Sequence, residues 1–533
     1  MKTIKIANEL PLEYLKKDNS KKPIDAISKR QSGEIVIAFS GPIGCGIKSV
    51  RDQVSDTLKA LGYKVNIIKI SDILKQCITR NLITDPINKN LSALGYDRYT
   101  QMQDAGNSLR KIEHDILAEY AIQEIAKTRG RLAPDTIDDL DVVPGRNAYL
   151  IDQLKHPEEV KLLRMVYGNL FYLFGVLSTT GNRIKRLKSE RIEDAQISEL
   201  IGRDRKERDK NGQQLEKTLQ LADFFIRNDS YNSDSSKEHI ARFFNLIHGE
   251  NGITPTREEY GMYTAHSAGL RSACLSRQIG ASIMTKEGVI IATGRNDVPS
   301  PRGGLYGPED GKKDARCVKL EGKKCFNDTE KGNLRDDIEQ IIRDGLSSGT
   351  ISGDINLISK TIADLAYQNT RLSGLIEFSR AIHAEMDAIV SLAFKGNGST
   401  QDCSLFTYTF PCHNCARHIV AAGITTVYFL EPYEKSMALD LHHDSIVLEG
   451  DDNETDSVKV KFIHFEGVAP RQYMNLFHMM KERKDSNGVA ITQMLNESNK
   501  KIPELLDDYR IYEGKVAIHL NQTLGTLSKT NSP

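Results

Sequence analysis

Four side chains in two short runs carry the chemistry this 533-residue chain can do. "HAE" sets His383 two residues before Glu385, and "PCHNC" sets Cys412 three residues before Cys415. Zinc accepts imidazole nitrogen and thiolate sulfur, and a catalytic zinc site holds three protein ligands with a fourth position left for water. His383, Cys412 and Cys415 make such a set. Zinc brings the pKa of water toward neutrality. Glu385, which the set does not need as a ligand, is placed to move the protons of a hydrolysis. Each run alone has a plainer reading: a lone histidine serves structure, and one C-x-x-C is a redox pair or half of a structural zinc site. A structural site has no use for Glu385. The two runs together, each opening a helix, favour catalysis.

These residues need elements to hold them. "AIHAEMDAIV" can turn Ile382, Met386, Ile389 and Val390 to one side, so a helix is expected over 378–393. A strand at 404–409, a helix at 412–422 and a strand at 425–430 follow, with Pro411 suited to a helix start because its missing N–H would lack a partner there. Upstream, "REEYGMYTAHSAGLRSACLS" reads as a helix, and "QIGASIMTKEGVIIATGRND" as a β-hairpin turning at Lys286–Gly288. Residues 299–350, rich in Gly, Lys and Asp, read as a long inserted loop. Its Cys317 and Cys325 leave a second zinc open. His413, His418, His442 and His443 match no ligand spacing.

The first half has a different pattern. "EIVIAFSG" is a continuous apolar run ending in glycine, as in a buried parallel strand. A helix-like "VRDQVSDTLKALG" and a strand-like "YKVNIIKIS" complete a βαβ unit. A strand at 148–152, a helix from about Pro157 and a buried strand in "NLFYLFGVLS" continue the α/β theme. Between the first strand and its helix lies "FSGPIGCGIKSV", the context of a phosphate-cradling loop. Gly41, Gly44 and Gly46 would let backbone N–H groups converge on an anion. The Walker pattern is broken, with Ile47 at the lysine position and Lys48 at the hydroxyl position; Lys48 and Ser49 are the candidates to serve one step late. Asp152, ending "YLID", is placed like a Walker B carboxylate that orients Mg²⁺. The polar stretch 182–215 is either a solvated helix pair or a basic lid over phosphates, with Arg203, Arg205 and Arg208 as its cations.

Composition narrows the classes. Lys plus Arg equals Asp plus Glu at 72 each, so the basic excess usual for duplex-binding proteins is missing. No apolar run approaches the roughly 20 residues needed to span a bilayer. The opening "MKTIKIANELPLEYLKK" lacks the apolar core of a signal peptide. Eight cysteines in so long a chain do not make a disulfide framework. A cytoplasmic protein of two or more domains is expected.

The two runs also fit the H-x-E…P-C-x-x-C signature of zinc nucleobase deaminases. Over roughly residues 255–470, "RQIGASIMTKEGVIIATGRNDVP", "HAEMDAI" and "LFTYTFPCHNCARHIVAAGITTVYFLEPYEKS" resemble the deoxycytidylate-type deaminase domain. Residues 33–230 look similar to P-loop nucleotide kinases, and the fusion with the "EPYEKS" run resembles the bacterial anti-phage dCTP deaminases. The resemblance implies an α/β chain: an N-terminal P-loop parallel-sheet domain over 1–250, a cytidine-deaminase-like α/β/α domain over 251–483, and a polar, partly helical tail over 484–533. It implies Zn²⁺ on His383, Cys412 and Cys415, Glu385 as the proton carrier, and Asn296 hydrogen-bonding the substrate's sugar. The implied reaction is hydrolytic deamination of dCTP, and also dCMP, to uracil nucleotides, which depletes phage DNA precursors. A regulatory nucleotide at the P-loop, with Mg²⁺, a homo-oligomer and an inhibitory small RNA follow by the same analogy. Deamination of RNA or single-stranded DNA is the alternative the motif alone leaves open.

Overall fold

In strand β1 (Ile35–Ser40) every residue is buried, and four more strands align parallel with it. They are β2 (Lys64–Lys69), β3 (Asn147–Asp152), β4 (Phe171–Leu177) and β5 (Phe224–Arg227). β12 (Gly467–Val468) adds antiparallel to β5, giving the order β12-β5-β4-β1-β3-β2. The structure is a computed structural model. It describes residues 27–28, 30–83, 85–87, 90–129, 145–205, 212–229, 234–348, 353–370, 372, 375, 377–396, 398–431, 436–450, 458–479, 482–492, 495 and 500–530. The chain divides into two compact units, 1–254 with 466–533, and 255–465.

In the first unit, β1 lies between β3 and β4; the chain runs from β1 to β2 on one side and from β4 to β5 on the other, so the loop after β1 sits where the strand order reverses. In open α/β sheets that is the crevice where ligands bind. Helices Ile47–Ala60 and Asp234–Ile247 bury Val50, Val54, Leu58 and Phe243 against Ile35, Ile37 and Phe39.

The last fifty residues, expected as a tail, belong to this unit instead. Helix Leu506–Thr530 packs on helices Ile116–Arg129 and Pro157–Tyr167. A buried charge network holds it there. Arg129 pairs with Glu34 at 2.8 Å and with Glu513 at 2.5 Å, while Tyr509 donates to Glu34 at 2.7 Å and Tyr167 to Glu513 at 2.8 Å. Groups so dispersed in sequence leave no local periodicity to read.

His248 closes the same core. Its Nε2 lies 2.9 Å from the Tyr63 hydroxyl and its Nδ1 2.8 Å from the Phe244 carbonyl oxygen, a pairing that suits the neutral ring with its proton on Nδ1. Burial holds its pKa down to about 4. The unfolded ring titrates near 6.5, so below that pH the unfolded chain takes a proton that the folded one refuses. Stability present above about pH 6.5 is therefore lost as pH falls toward 4, by about 3 kcal/mol. The urea midpoint should drop over this window in the wild type and drop less in His248→Gln. Equal pH dependence in both would remove His248 as the cause.

The second unit contains β6 (Gly280–Met284), β7 (Ile290–Arg295), β8 (Ser404–Thr409), β9 (Thr426–Glu431), β10 (Ile446–Leu448) and β11 (Val460–His464), in the order β10-β11-β9-β8-β6-β7. β6 and β7 form the expected antiparallel hairpin, and β8, β9, β11 and β10 run parallel. Helix Arg257–Gly269 covers one face, where the Ser282 hydroxyl donates to the Gly261 carbonyl at 2.8 Å. Ala281, Ile283 and Leu405 turn to the other face, against Ala384, Ala388 and Ile419. Residues 299–350 are not one loop: Phe326–Ser347 is a 22-residue helix packed on helix Ile355–Asn369. Ile342 and Leu346 bury there, but the Gly- and Lys-rich run before Phe326 masks their spacing. Among the described residues, no helix is long and apolar enough to cross a membrane.

Candidate functional site

Helix Ala384–Lys395 lies directly on β7 because Gly294 gives it room. A Cβ on Gly294 would stand 2.2 Å from the Ala384 carbonyl oxygen and 2.3 Å from the Ala388 nitrogen. The Asp387 carboxylate fastens the helix by accepting the Arg295 N–H at 2.9 Å. His383 is the N-cap residue, in extended backbone, and Glu385 falls in the first turn. Cys412 is likewise the N-cap of helix His413–Ala421, its sulfur accepting the Cys415 N–H at 3.5 Å. Pro411 thus stands one residue before the cap rather than inside the helix.

Two helix starts therefore deliver the three expected ligands to one point. His383 Nδ1 lies 3.4 Å from Cys412 Sγ and 3.3 Å from Cys415 Sγ, and the three atoms fall within 4.8 Å of one another. Tetrahedral zinc, with bonds of about 2.3 Å to sulfur and 2.0 Å to nitrogen, sets such ligands roughly 3.5 Å apart. The spacing fits the ion. A hydrogen bond from Cys415 and the neighbouring His383 hold the Cys412 thiol down to about 4, and the bond to Cys412 pushes His383 up to about 9. The Cys415 thiol, hydrogen-bonded to Cys412 and buried, is pushed up.

Glu385 stands beside the trio without joining it. Its Oε2 is 3.5 Å from Cys415 Sγ, and its Oε1 accepts the Thr407 hydroxyl at 3.5 Å. The residue is 5% exposed, and burial pushes its carboxyl above the usual range. A carboxyl with raised proton affinity at a metal-binding trio suits proton transfer. His383, Glu385 and Cys412 line a cavity of about 200 Å³ with Asn296, Asn327, Thr409 and Phe410. Asn296 reaches this cavity, but its amide serves the backbone: Oδ1 accepts the Ile279 N–H and Nδ2 donates to the Arg277 carbonyl, both at 2.8 Å. Neither Cys317 nor Cys325 joins a metal-binding group among the described residues. Sequence reasoning missed Thr409 and Asn327. Thr409, three residues before Cys412, was within reach of it; Asn327 lay in a segment read as loop.

In the first unit, Gly44 and Gly46 take left-handed backbone at φ 79° and 80°, and Gly46 caps helix Ile47–Ala60. Ile47 turns into the core, while Lys48 and Ser49 face a cavity of about 640 Å³ with Gly46, Lys185, Arg186 and Asn228. Gly41 is buried behind the loop, where Lys155 donates to its carbonyl at 2.7 Å. The Ile43 N–H donates to the Asp204 carboxylate at 2.6 Å, and Lys155 also pairs with Asp204 at 2.6 Å. Arg183 and Arg186 donate to the Ile43 and Gly44 carbonyls.

Asp152, expected to orient Mg²⁺, is held by Arg51 at 2.7 Å, and among the described residues no metal-binding group lies at this loop. The 182–215 stretch contains helices Thr180–Ser189 and Asp194–Arg205, which pack Leu187, Ile197 and Leu200 on Ile43. Arg203 pairs with Asp104 at 2.5 Å. The side chain of Arg205 and all of Arg208 lie outside the described residues, as do residues 432–435 of "EPYEKS".

Residues 255–431 match the family model for the cytidine and deoxycytidylate deaminase zinc-binding region. The chain is 36% identical over 91 residues to the deoxycytidylate deaminase of Mus musculus, covering 17% of this chain and 40% of that one. To the deoxycytidylate deaminase of Enterobacteria phage T4 it is 27% identical over 172 residues, 32% of this chain and 76% of that one. ComE operon protein 2 of Bacillus subtilis (strain 168) is 39% identical over 56 residues, 10% of this chain and 29% of its own. The chain thus spans less than half the length of the mouse and Bacillus relatives. Among solved structures, the dCMP deaminase of cyanophage S-TIM5 in complex with dCMP and dUMP aligns with TM-score 0.23 and 20% identity, over 40% of this chain and all of its own. A deaminase-type zinc-binding region is present in the second unit.

Proposed function

We propose that residues 255–465 hydrolyse the exocyclic C–N bond of a deoxycytidine nucleotide, yielding the deoxyuridine nucleotide and ammonia. The carrying observation is the buried Glu385 carboxyl, 3.5 Å from Cys415 on the wall of the cavity that His383 and Cys412 also line. Zinc, when held by His383, Cys412 and Cys415, supplies the Lewis acidity that makes water a nucleophile near neutral pH. Glu385 takes a proton from the attacking water and delivers it to ring N3. It then takes the second proton from the new C4 hydroxyl and gives it to the departing amine, so that ammonia leaves as the C4–N bond breaks and the C4=O bond forms. Burial raises the proton affinity that this shuttle needs. The cavity walls, Phe410 among them, keep the reacting carbon from bulk water.

Similarity to deoxycytidylate deaminases supports dCMP as a substrate. The resemblance to anti-phage enzymes supports dCTP, and with it depletion of a precursor pool. The equal charge count supports a free nucleotide over a polynucleotide. For the first unit we read a P-loop that binds a regulatory nucleotide through Gly44, Gly46, Lys48 and Ser49, with Gly41 behind the loop. Lys48, Lys185 and Arg186, which outnumber Asp52 and Asp229 on the cavity wall, support binding, while Ile47 in the core and Arg51 on Asp152 argue against phosphoryl transfer.

Ammonia release from dCMP, dCTP, CTP and a cytosine-containing oligonucleotide tests the reading. Turnover is expected with the deoxynucleotides, at least about 10-fold faster in kcat/KM than with CTP. Preference for the oligonucleotide would transfer the site to the polynucleotide alternative.

A further inference from the structure

We propose that Asn327 reads the 3′-hydroxyl of the substrate's sugar, an inference that rests on the deaminase reading above. Asn327 sits in the first turn of helix Phe326–Ser347 and lines the same cavity as His383 and Glu385. It is 9% exposed. Its Nδ2 donates to the Leu375 carbonyl at 3.0 Å, which fixes the amide's orientation. Turning the amide over would set its oxygen against that carbonyl. Its Oδ1 is buried and has no hydrogen-bond partner in the protein. An unpaired buried acceptor costs about 1–3 kcal/mol, so a residue on the cavity wall holds an oxygen that a substrate donor would satisfy.

A deoxycytidine 5′-nucleotide brings two donors of its own, the 4-amino group and the 3′-hydroxyl. The amino group must lie at Glu385 and the metal-binding trio, because its bond to C4 breaks there. Thr409, three residues before Cys412, serves that end: its Oγ1 is likewise buried without a partner. Asn327 belongs to other surroundings. Its segment meets the Cys274–Ile279 wall, where Cys325 Sγ lies 3.6 Å from Ser276 Oγ. The 3′-hydroxyl is the donor left for it. Asn296, the residue expected at the sugar, already spends one lone pair on the Ile279 N–H and one N–H on the Arg277 carbonyl, whereas the Asn327 oxygen has no partner in the protein. The sugar contact passes to a residue of the inserted segment.

The experiment compares kcat/KM for dCMP and dCTP with their 2′,3′-dideoxy counterparts, in wild type, Asn327→Ala and Asn327→Asp. Wild type should favour the 3′-hydroxylated substrates by about 10- to 100-fold, the range one lost buried hydrogen bond gives. Asn327→Ala should bring the ratio close to one by losing rate on the hydroxylated substrates alone, with zinc content and dideoxy turnover retained. Asn327→Asp keeps an acceptor for the 3′-hydroxyl but loses the donor to the Leu375 carbonyl, so it should restore only part of the preference. If the alanine variant does not fold, Asn327→Leu, which resembles asparagine in shape, reads the same ratio. A wild-type ratio surviving in Asn327→Ala or Asn327→Leu overturns the assignment and leaves the deaminase reading standing. A wild type that releases ammonia from none of the four substrates overturns both.

Discussion

Glu385→Gln is expected to release ammonia from deoxycytidine nucleotides about 10³- to 10⁴-fold more slowly than wild type while binding the same amount of zinc. The magnitude follows from the number of proton transfers that one group carries. A positioned acid–base residue contributes roughly 10²–10⁴, and Glu385 serves attack, ring protonation and departure of the amine, which puts the loss at the upper end. Glutamine keeps the volume and can still accept the Thr407 hydroxyl that Glu385 receives at 3.5 Å. What it cannot do is hold and return a proton. Zinc is expected to stay because the metal-binding group consists of His383, Cys412 and Cys415 without Glu385. Melting should not fall either, since burial already disfavours the charged carboxylate and a neutral amide relieves that cost. Ammonia release measured beside zinc content decides the matter. Full turnover in Glu385→Gln would remove the carboxyl from the mechanism.

The parts of this site that the sequence made legible are those where local chemistry and element starts coincide. His383 and Cys412 are both N-cap residues, so a motif read as two helix starts corresponds to the geometry that brings their side chains together. Buried strands were equally readable: β1 and β4 are largely apolar, and buried along their whole length, because both faces are covered. What stayed hidden depends on distant partners. Asn327 belongs to the cavity only because Phe326–Ser347 forms a helix, and its signal was diluted by the glycines and lysines before it. The contact of Asp204 with the Ile43 N–H joins residues 161 apart, and no spacing rule foresees it. The C-terminal helix docks through Tyr509 and Glu513, two polar-tipped side chains that look like surface in a linear reading.

Cys415→Ala should lose zinc, activity and thermal stability together, and the combination separates it from Glu385→Gln. Cys415 is fully buried, in the core that also holds Ala384, Ala388 and Ile419. Alanine removes only one sulfur atom there, so the packing defect by itself is expected to cost about 1 kcal/mol. The larger loss is the ligand. His383 and Cys412 alone leave zinc two protein donors where a catalytic site uses three, and zinc content should fall from about one per chain to near zero. Because the ion binds the folded site and not the open chain, its binding free energy adds to folding, and losing it lowers the melting temperature beyond what the void explains. Chelator supplies the internal control. Stripping the wild type should bring its melting temperature down to within the small packing difference of Cys415→Ala, and the same chelator should leave the variant's melting unchanged. If Cys415→Ala keeps a full complement of zinc, or if chelator lowers both melting temperatures alike, then the thiol packs the core without holding the metal, and the trio reduces to His383 and Cys412.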